Sequence, residues 1–272
     1  MPDPTLFLTG ASTGLGHAAA RLFASRGWRV IATMRKPDDA GELAKLPNVT
    51  VLALDVTNPA QITEVAARAL ELGPIDVVFN NAGYGLAGPL EGTSDAELVR
   101  QIDTNLLGVI RTTQAFIPHF RERGAGTFIT TTSIGGLVAF PFNSTYHATK
   151  WALEGWSESL AFELAQFGIR MKTVAPGGIK TDFAGRSLSL ASHPAYAAPA
   201  ARVLGVFRDP ARAASYSTAE QIAEVVYQAA SDGKDQLRYV AGSDALATYA
   251  QRQSVDFEAF HKAIEALFFG PR

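Results

Sequence analysis

The chain has 272 residues, 47% hydrophobic and 18% charged, long enough to bury a full core and too apolar for a disordered chain. Lys plus Arg number 24 against 26 Asp plus Glu, so a net charge of -2 gives no footprint for nucleic acid or an anionic membrane. With no cysteine, disulfides, thiol nucleophiles and thiolate-held metals are excluded.

An acidic start and a short apolar run at 6–8 do not read as a signal peptide. No stretch approaches the ~18 uninterrupted apolar residues of a membrane helix, so the expectation is a soluble, cytoplasmic protein. Residues 5–8 read as a buried strand, 10–16 as a glycine loop, 17–25 as a helix and 28–33 as a second strand. A third strand at 49–54 precedes a helix that Pro59 would open. A fourth strand follows at 75–79. Ser94 and Glu97 have capping-box spacing at the head of a long helix carrying Leu98, Ile102, Leu106 and Val109. A strand at 127–132, a helix at 145–167 and a strand at 169–175 come next. Ser217 and Glu220 repeat the capping-box spacing before a helix at 222–230, and 238–241 reads as a last strand. Strands alternating with helices predict an α/β fold, a parallel sheet of about seven strands with helices on both faces. No repeat or linker divides the chain, so 1–272 is expected to be one domain. Residues 184–217, rich in Ala, Ser, Pro and Arg, are expected to cover a substrate or to be mobile. A helical tail at 243–272 is anchored by Leu246, Tyr249, Phe257, Phe260 and Ile264. Phe116, Phe120, Phe162 and Phe167 fall at core spacing on helices.

Thr9-Gly10-Ala11-Ser12-Thr13-Gly14-Leu15-Gly16 lies directly after a strand and before a helix. Glycines there permit a tight turn and let the backbone approach a pyrophosphate at the positive end of the helix. That context predicts a dinucleotide site, the alternative being a merely tight turn. Tyr146 and Lys150 are four apart on a helix and share a face. A nearby ammonium favours the phenolate and tunes a tyrosine toward acid–base work. Ser133, at the end of a strand, could reach the same substrate oxygen. Asn105, an amide on a mostly apolar helix, needs a partner, and a core hydrogen bond is the plainest one. His147 adjoins Tyr146 but points about a quarter-turn away, which suits a structural or rim role. The five histidines show no metal-ligand spacing, so no metal is expected. Asp38 and Asp39 read as dipole-complementing residues at a helix start.

Together these motifs resemble the short-chain dehydrogenase/reductase family over residues 5–241. Thr9–Gly16 matches its TGxxxGxG loop, and Asn80-Asn81-Ala82-Gly83 its NNAG segment. Ser133, Tyr146 and Lys150 match the catalytic serine and YxxxK pair, and Asn105 stands at the active-site asparagine. Pro176-Gly177-Gly178-Ile179-Lys180-Thr181 matches the PGxxxT segment at the nicotinamide. The resemblance implies a Rossmann-type doubly wound sheet and hydride transfer between nicotinamide C4 and a carbonyl or alcohol carbon. Tyr146 would then move the proton and Ser133 hold the oxygen. Lys150 would lower the tyrosine pKa and bind the nicotinamide ribose, and Asn105 would position a relay water. It also implies cofactor contacts at Gly10, Ser12, Thr13, Gly14, Leu15 and Gly16, at Asn81, Ala82 and Gly83, and at Pro176, Gly177, Ile179 and Thr181. Asp55, with Val56, matches the position that binds the adenine amino group. Family members are commonly homodimers or homotetramers through their two long helices.

The end of the second strand reads Ala32-Thr33-Met34-Arg35-Lys36, with no carboxylate until Asp38. An arginine there suits a 2′-phosphate, so NADP(H) is expected, with NAD(H) in an oxidative alcohol dehydrogenase of hydroxysteroid-like type as the alternative. A non-catalytic dinucleotide sensor would need the glycine loop but not Ser133, Tyr146 and Lys150. Leu86, Leu137, Val138, Phe140, Phe142 and Phe183 flank the motifs with almost no charge among them. Leu137, Phe140, Phe142 and Phe183 are expected to line the pocket beside Ser133 and Tyr146. That composition predicts an uncharged, largely apolar ketone, aldehyde or alcohol, with Arg186, Arg202 and Arg208 as the only charges within reach.

Overall fold

The computed structural model describes residues 3–180 and 188–270; the positions expected of Thr181, Phe183 and Arg186 lie outside them. In chain order the strands are β1 (Thr5–Thr9), β2 (Arg29–Met34), β3 (Val49–Ala53), β4 (Val77–Asn80), β5 (Gly85–Ala87), β6 (Gly126–Thr131), β7 (Ile169–Pro176), β8 (Ile179–Lys180), β9 (Leu188–Leu190), β10 (Ser217–Thr218) and β11 (Arg238–Ala241). Seven of them form one parallel sheet in the order β11-β7-β6-β4-β1-β2-β3. The first five α-helices are α1 (Gly14–Ser25), α2 (Pro59–Glu71), α3 (Asp95–Ile102), α4 (Gly108–Arg123) and α5 (Ser144–Ala165).

Alternation along β1 explains the layers. Leu6 and Leu8 point into a cluster with Phe23 of α1 and with Ile222 and Val226 of the helix Ala219–Ser231. Phe7 points the other way, among Ile62 and Val65 of α2, Phe116 and Phe120 of α4 and Leu160 of α5. A sheet buried on both faces needs continuous apolar strands, and β1 is buried at every position. The strand order reverses between β1 and β4. In a doubly wound sheet that reversal opens a crevice at the carboxyl ends of the strands, where Gly10 and Asn81 begin their loops.

Local signals mostly act where they stand. Asn58 caps α2 by accepting from Gln61 N at 3.1 Å, with Pro59 in the first turn. The Ser94–Glu97 capping box opens α3. The second capping box is displaced by one residue: Thr218 and Gln221, not Ser217 and Glu220, close it, because β10 runs through Thr218 and the helix opens only at Ala219. The expected long helix after Ser94 is broken by a π-helical turn, Asp103–Leu107, between α3 and α4. Phe116 and Phe120 are core residues, but Phe162 is 76% exposed and Phe167 is exposed too, so helical spacing overstated that stripe.

The described part of the segment 184–217, residues 188–217, is tied to the rest of the fold more than its composition suggested. β9 pairs with β5, and the helix Ala197–Arg208 carries buried Val203 and sets the Phe207 ring 5.2 Å from Phe268 of the tail helix Phe257–Phe269. No helix among the described residues is long and apolar enough to cross a membrane.

Candidate active site

The glycine loop is shaped by what it nearly touches. Gly10 has φ +74°, and a Cβ on it would lie 2.9 Å from Ala82 Cα. A Cβ on Gly16 would lie 2.1 Å from the Gly10 carbonyl oxygen, so α1 could not seat against its own loop. The Thr9 hydroxyl accepts from the backbone N–H groups of Asn81 and Ala82, both at 3.0 Å. Asn81 Nδ2 returns bonds to the Thr9 and Gly10 carbonyls at 3.2 Å, and its Oδ1 accepts from Thr131 Oγ1 at 3.3 Å. Asn81 therefore clips the carboxyl ends of β1, β4 and β6 together. Thr13, the residue before α1, makes no side-chain cap, which leaves the first amides of the helix to an incoming anion.

These loops wall a cleft of about 890 Å³ across the crevice. Gly10, Ser12, Thr13, Gly14 and Leu15 line its middle with Asn81, Ala82 and Gly83, while Gly16 packs beneath. At the β2 and β3 end stand exposed Arg35 and, with Val56, Asp55, whose Oδ1 accepts from Thr57 N at 3.0 Å and Oγ1 at 2.8 Å. Asp39 lines the same end, a carboxylate the sequence reading gave only a dipole role. At the β6 and β7 end the lining is Ser133, Tyr146, Lys150 and the turn Pro176–Ile179. That turn is held from the tail: Asp244 Oδ2 accepts from Gly178 N at 2.7 Å, and a Cβ on Gly177 would lie 2.3 Å from the same carboxylate. Sequence reasoning missed Asp244, which no local motif marks. The open helix terminus and the glycine cradle fit a dinucleotide.

Ser133, at the end of β6, accepts from Gly135 N at 3.0 Å and lines the cleft together with Tyr146. Burial pushes the Tyr146 phenol up from its ordinary value, and the nearby Ser133 hydroxyl works against that rise. Lys150 is buried, its Nζ donates to the Thr131 carbonyl at 2.8 Å and it stands 5.8 Å from the Tyr146 ring centroid. Burial pushes the Lys150 ammonium down to about 8, with Glu154 opposing. Asn105 sits in the π-helical turn, a local device that often marks functional positions. Its Oδ1 accepts from Tyr84 N at 3.0 Å and its Nδ2 donates to the Tyr84 carbonyl at 2.8 Å. The amide has found the core partner that its burial demanded.

A family model described as short chain dehydrogenase matches residues 4–189. The chain belongs to the short-chain dehydrogenase family. It is 36% identical over 247 residues to oxidoreductase BOA17 of Botryotinia fuckeliana, covering 88% of this chain and 89% of that protein. The crystal structure of a short-chain dehydrogenase from Streptomyces avermitilis has a TM-score of 0.85 and 32% identity, over 97% of this chain and 96% of that one. Another from Burkholderia cenocepacia J2315, in complex with NADP, has a TM-score of 0.77 and 26% identity, over 96% and 97% of the two chains.

The substrate end of this short-chain dehydrogenase differs from the sequence expectation. Leu137 and Phe140 do not line the cleft. Leu137 is buried with Val138, Ala175, Ala245 and Phe260, and the Phe140 ring packs 6.0 Å from Phe207 and 6.1 Å from Phe268. Phe142 also lies off the cleft: its ring meets Tyr196 at 6.2 Å and its carbonyl accepts from Gly88 N at 2.7 Å. Leu137 and Phe140 seal the loop against the tail helices. The wall instead comes from Tyr84, Thr104, Leu188 and Ser189, and β9 reaches it by pairing with β5. Arg100 lines the cleft as well, with its Nε donating to the Tyr84 hydroxyl at 3.2 Å, so the wall is not free of charge. Arg202 and Arg208 are exposed and lie off it. His147 has the structural role expected: its Nδ1 meets the Gly135 carbonyl, and its Nε2 accepts from Phe140 N at 3.1 Å.

Proposed function

We propose that this oxidoreductase uses NADP(H) to interconvert a carbonyl and an alcohol on an uncharged, largely apolar substrate, with Tyr146 as acid and base. The observation that carries the reading is one cleft with Ser133, Tyr146 and Lys150 at one end and Arg35 at the other. When bound, the nicotinamide supplies or accepts the hydride. Ser133 Oγ and the Tyr146 hydroxyl hold the carbonyl oxygen from the same side. In reduction the phenol gives that oxygen its proton, and in oxidation the phenolate takes it back. The Lys150 ammonium beside the ring favours the phenolate, against the burial that opposes it. Asn105 serves by fixing Tyr84 and the wall it begins. Its side-chain amide is engaged at both ends, so the relay water implied by family resemblance would fall to its backbone.

Arg35 supports the 2′-phosphate of NADP(H), and the NADP complex of the Burkholderia neighbour agrees. Asp39 at the same end is the observation that favours NAD(H) instead. Leu188 and Tyr84 support an apolar substrate, with Arg100 already engaged by the Tyr84 hydroxyl. Val99 and Ile102 of α3 and Trp151 and Phe162 of α5 are exposed apolar side chains, and they support assembly as a homodimer or homotetramer through the long helices. A panel of apolar ketones and matched keto acids with NADPH tests the substrate reading. Higher kcat/KM for the ketones is expected, and higher values for the acids would overturn it.

A further inference from the structure

Tyr146, Lys150, Glu154 and Glu158 follow one another at four-residue intervals in α5, which stacks their side chains on one face a turn apart. Glu154 is only 4% exposed, and a carboxylate is buried at such cost only when something holds it. Its Oε2 accepts from Arg238 Nε at 2.8 Å and from Thr173 Oγ1 at 3.4 Å. Arg238 spends its other arm on Glu158, with Nη2 donating to Oε1 at 2.8 Å. Two carboxylates thus share one guanidinium, and an excess negative charge lies in the turn below Lys150. Glu154 Oε1 is buried without a hydrogen-bond partner among the described residues.

Few other charges compete near Lys150. On the π-helical turn packed against α5, Asp103 is paired with Arg111 at 2.6 Å. On β7, Lys172 is paired with Asp232 at 3.0 Å, and Arg170 is exposed. On α3, Asp95 and Arg100 are exposed and Glu97 closes its own capping box. The turn Ile134–Gly136 and β5 carry no charged residue.

We propose that Glu154 is a positioning residue for the catalytic pair: its buried carboxylate keeps the Lys150 side chain in the ammonium form. This rests on the role given to Lys150 above. Burial alone drives Lys150 toward the neutral amine, and Glu154 is the charged group that opposes it. Glu154→Gln keeps the shape and an acceptor for Arg238 but removes the charge. Loss of one unit charge a helical turn away should move the Lys150 titration acidward by on the order of one pH unit.

Two readouts on the full chain separate this proposal from the catalytic reading. Trace acylation by an amine reagent across pH, followed by mass spectrometry of the Lys150 peptide, gives the lysine midpoint without any turnover. The pH profile of kcat/KM gives the alkaline limb of catalysis. Both midpoints should fall in Glu154→Gln and stay near wild type in Glu154→Asp. Glu158→Gln, at an exposed position that preserves folding, should shift the labelling midpoint the same way by less. An unmoved labelling midpoint in folded Glu154→Gln would overturn the proposal, as would an unmoved midpoint in Glu158→Gln should Glu154→Gln fail to fold. A shifted labelling midpoint with an unmoved rate profile would uphold the proposal and overturn the catalytic role of Lys150.

Discussion

Arg35→Ala separates the two cofactor readings. Arg35 is the first residue beyond β2, and its backbone neighbourhood does not depend on its side chain. Ala11 N donates to the Thr33 carbonyl at 3.0 Å, and Leu54 N donates to the Met34 carbonyl at 2.9 Å, so truncation leaves the strand end in place. A hydrogen bond to a charged group contributes about 1.5–3 kcal/mol. Arg35 is exposed at the rim of the cleft, where solvent and salt screen it, so the lower figure applies. That corresponds to roughly a tenfold rise in the NADPH dissociation constant. NADH, which lacks the 2′-phosphate, should bind both proteins almost equally. Fluorescence titration of both cofactors against both proteins, at low and high salt, reads the difference. The wild-type preference should narrow as salt rises. Asp39→Ala should act in the opposite sense, tightening NADPH by removing a carboxylate from the same end. Equal losses for NADPH and NADH in Arg35→Ala would refute the reasoning and make the residue a support of the fold.

Two further variants test the structural roles given to His147 and Phe140. The neutral His147 ring serves both Gly135 and Phe140, and burial holds its pKa below the ordinary 6.5. The unfolded chain therefore takes the proton first: the stability from this ring is complete above pH 6.5 and is lost as pH falls through the folded value. Thermal unfolding of His147→Gln should show a shallower decline from neutral to mildly acidic pH than wild type, and an unchanged decline would remove His147 from the account. Phe140→Ala should cost about 3 kcal/mol in denaturant unfolding, since it opens a cavity against Phe207 and Phe268, with KM for an apolar ketone little changed. A large rise in KM with stability intact would put Phe140 back in the pocket.

The sheet was legible because its strands are short apolar runs alternating with helical stretches, and the glycine loop because its glycines fall in one unbroken stretch. Contacts made across the fold were not. Ser217-Thr218 and Glu220-Gln221 offer two capping boxes one residue apart, and Thr218 is selected because the pairing of β10 with β8 carries the strand to that residue before the helix opens. Leu137, Phe140 and Phe142 stand beside the motifs in sequence, yet tail helices some hundred residues on compete for the first two. The cleft wall at Leu188 and Ser189 depends on β9 finding β5, about a hundred residues earlier, with no periodic signal to announce it. The π-helical turn was hidden for the opposite reason. Leu98, Ile102, Leu106 and Val109 keep helical spacing, and the extra residue that turns Asn105 toward Tyr84 does not disturb that pattern.

Tyr146→Phe tests the central claim most directly. The variant keeps the ring and removes the hydroxyl that stands with Ser133 at the end of the cleft. NADPH titration should be nearly unchanged, and single-turnover reduction of a ketone that wild type accepts should slow by roughly 10²–10⁴-fold. A folded Tyr146→Phe protein that reduces the same ketone at the wild-type rate would contradict the account.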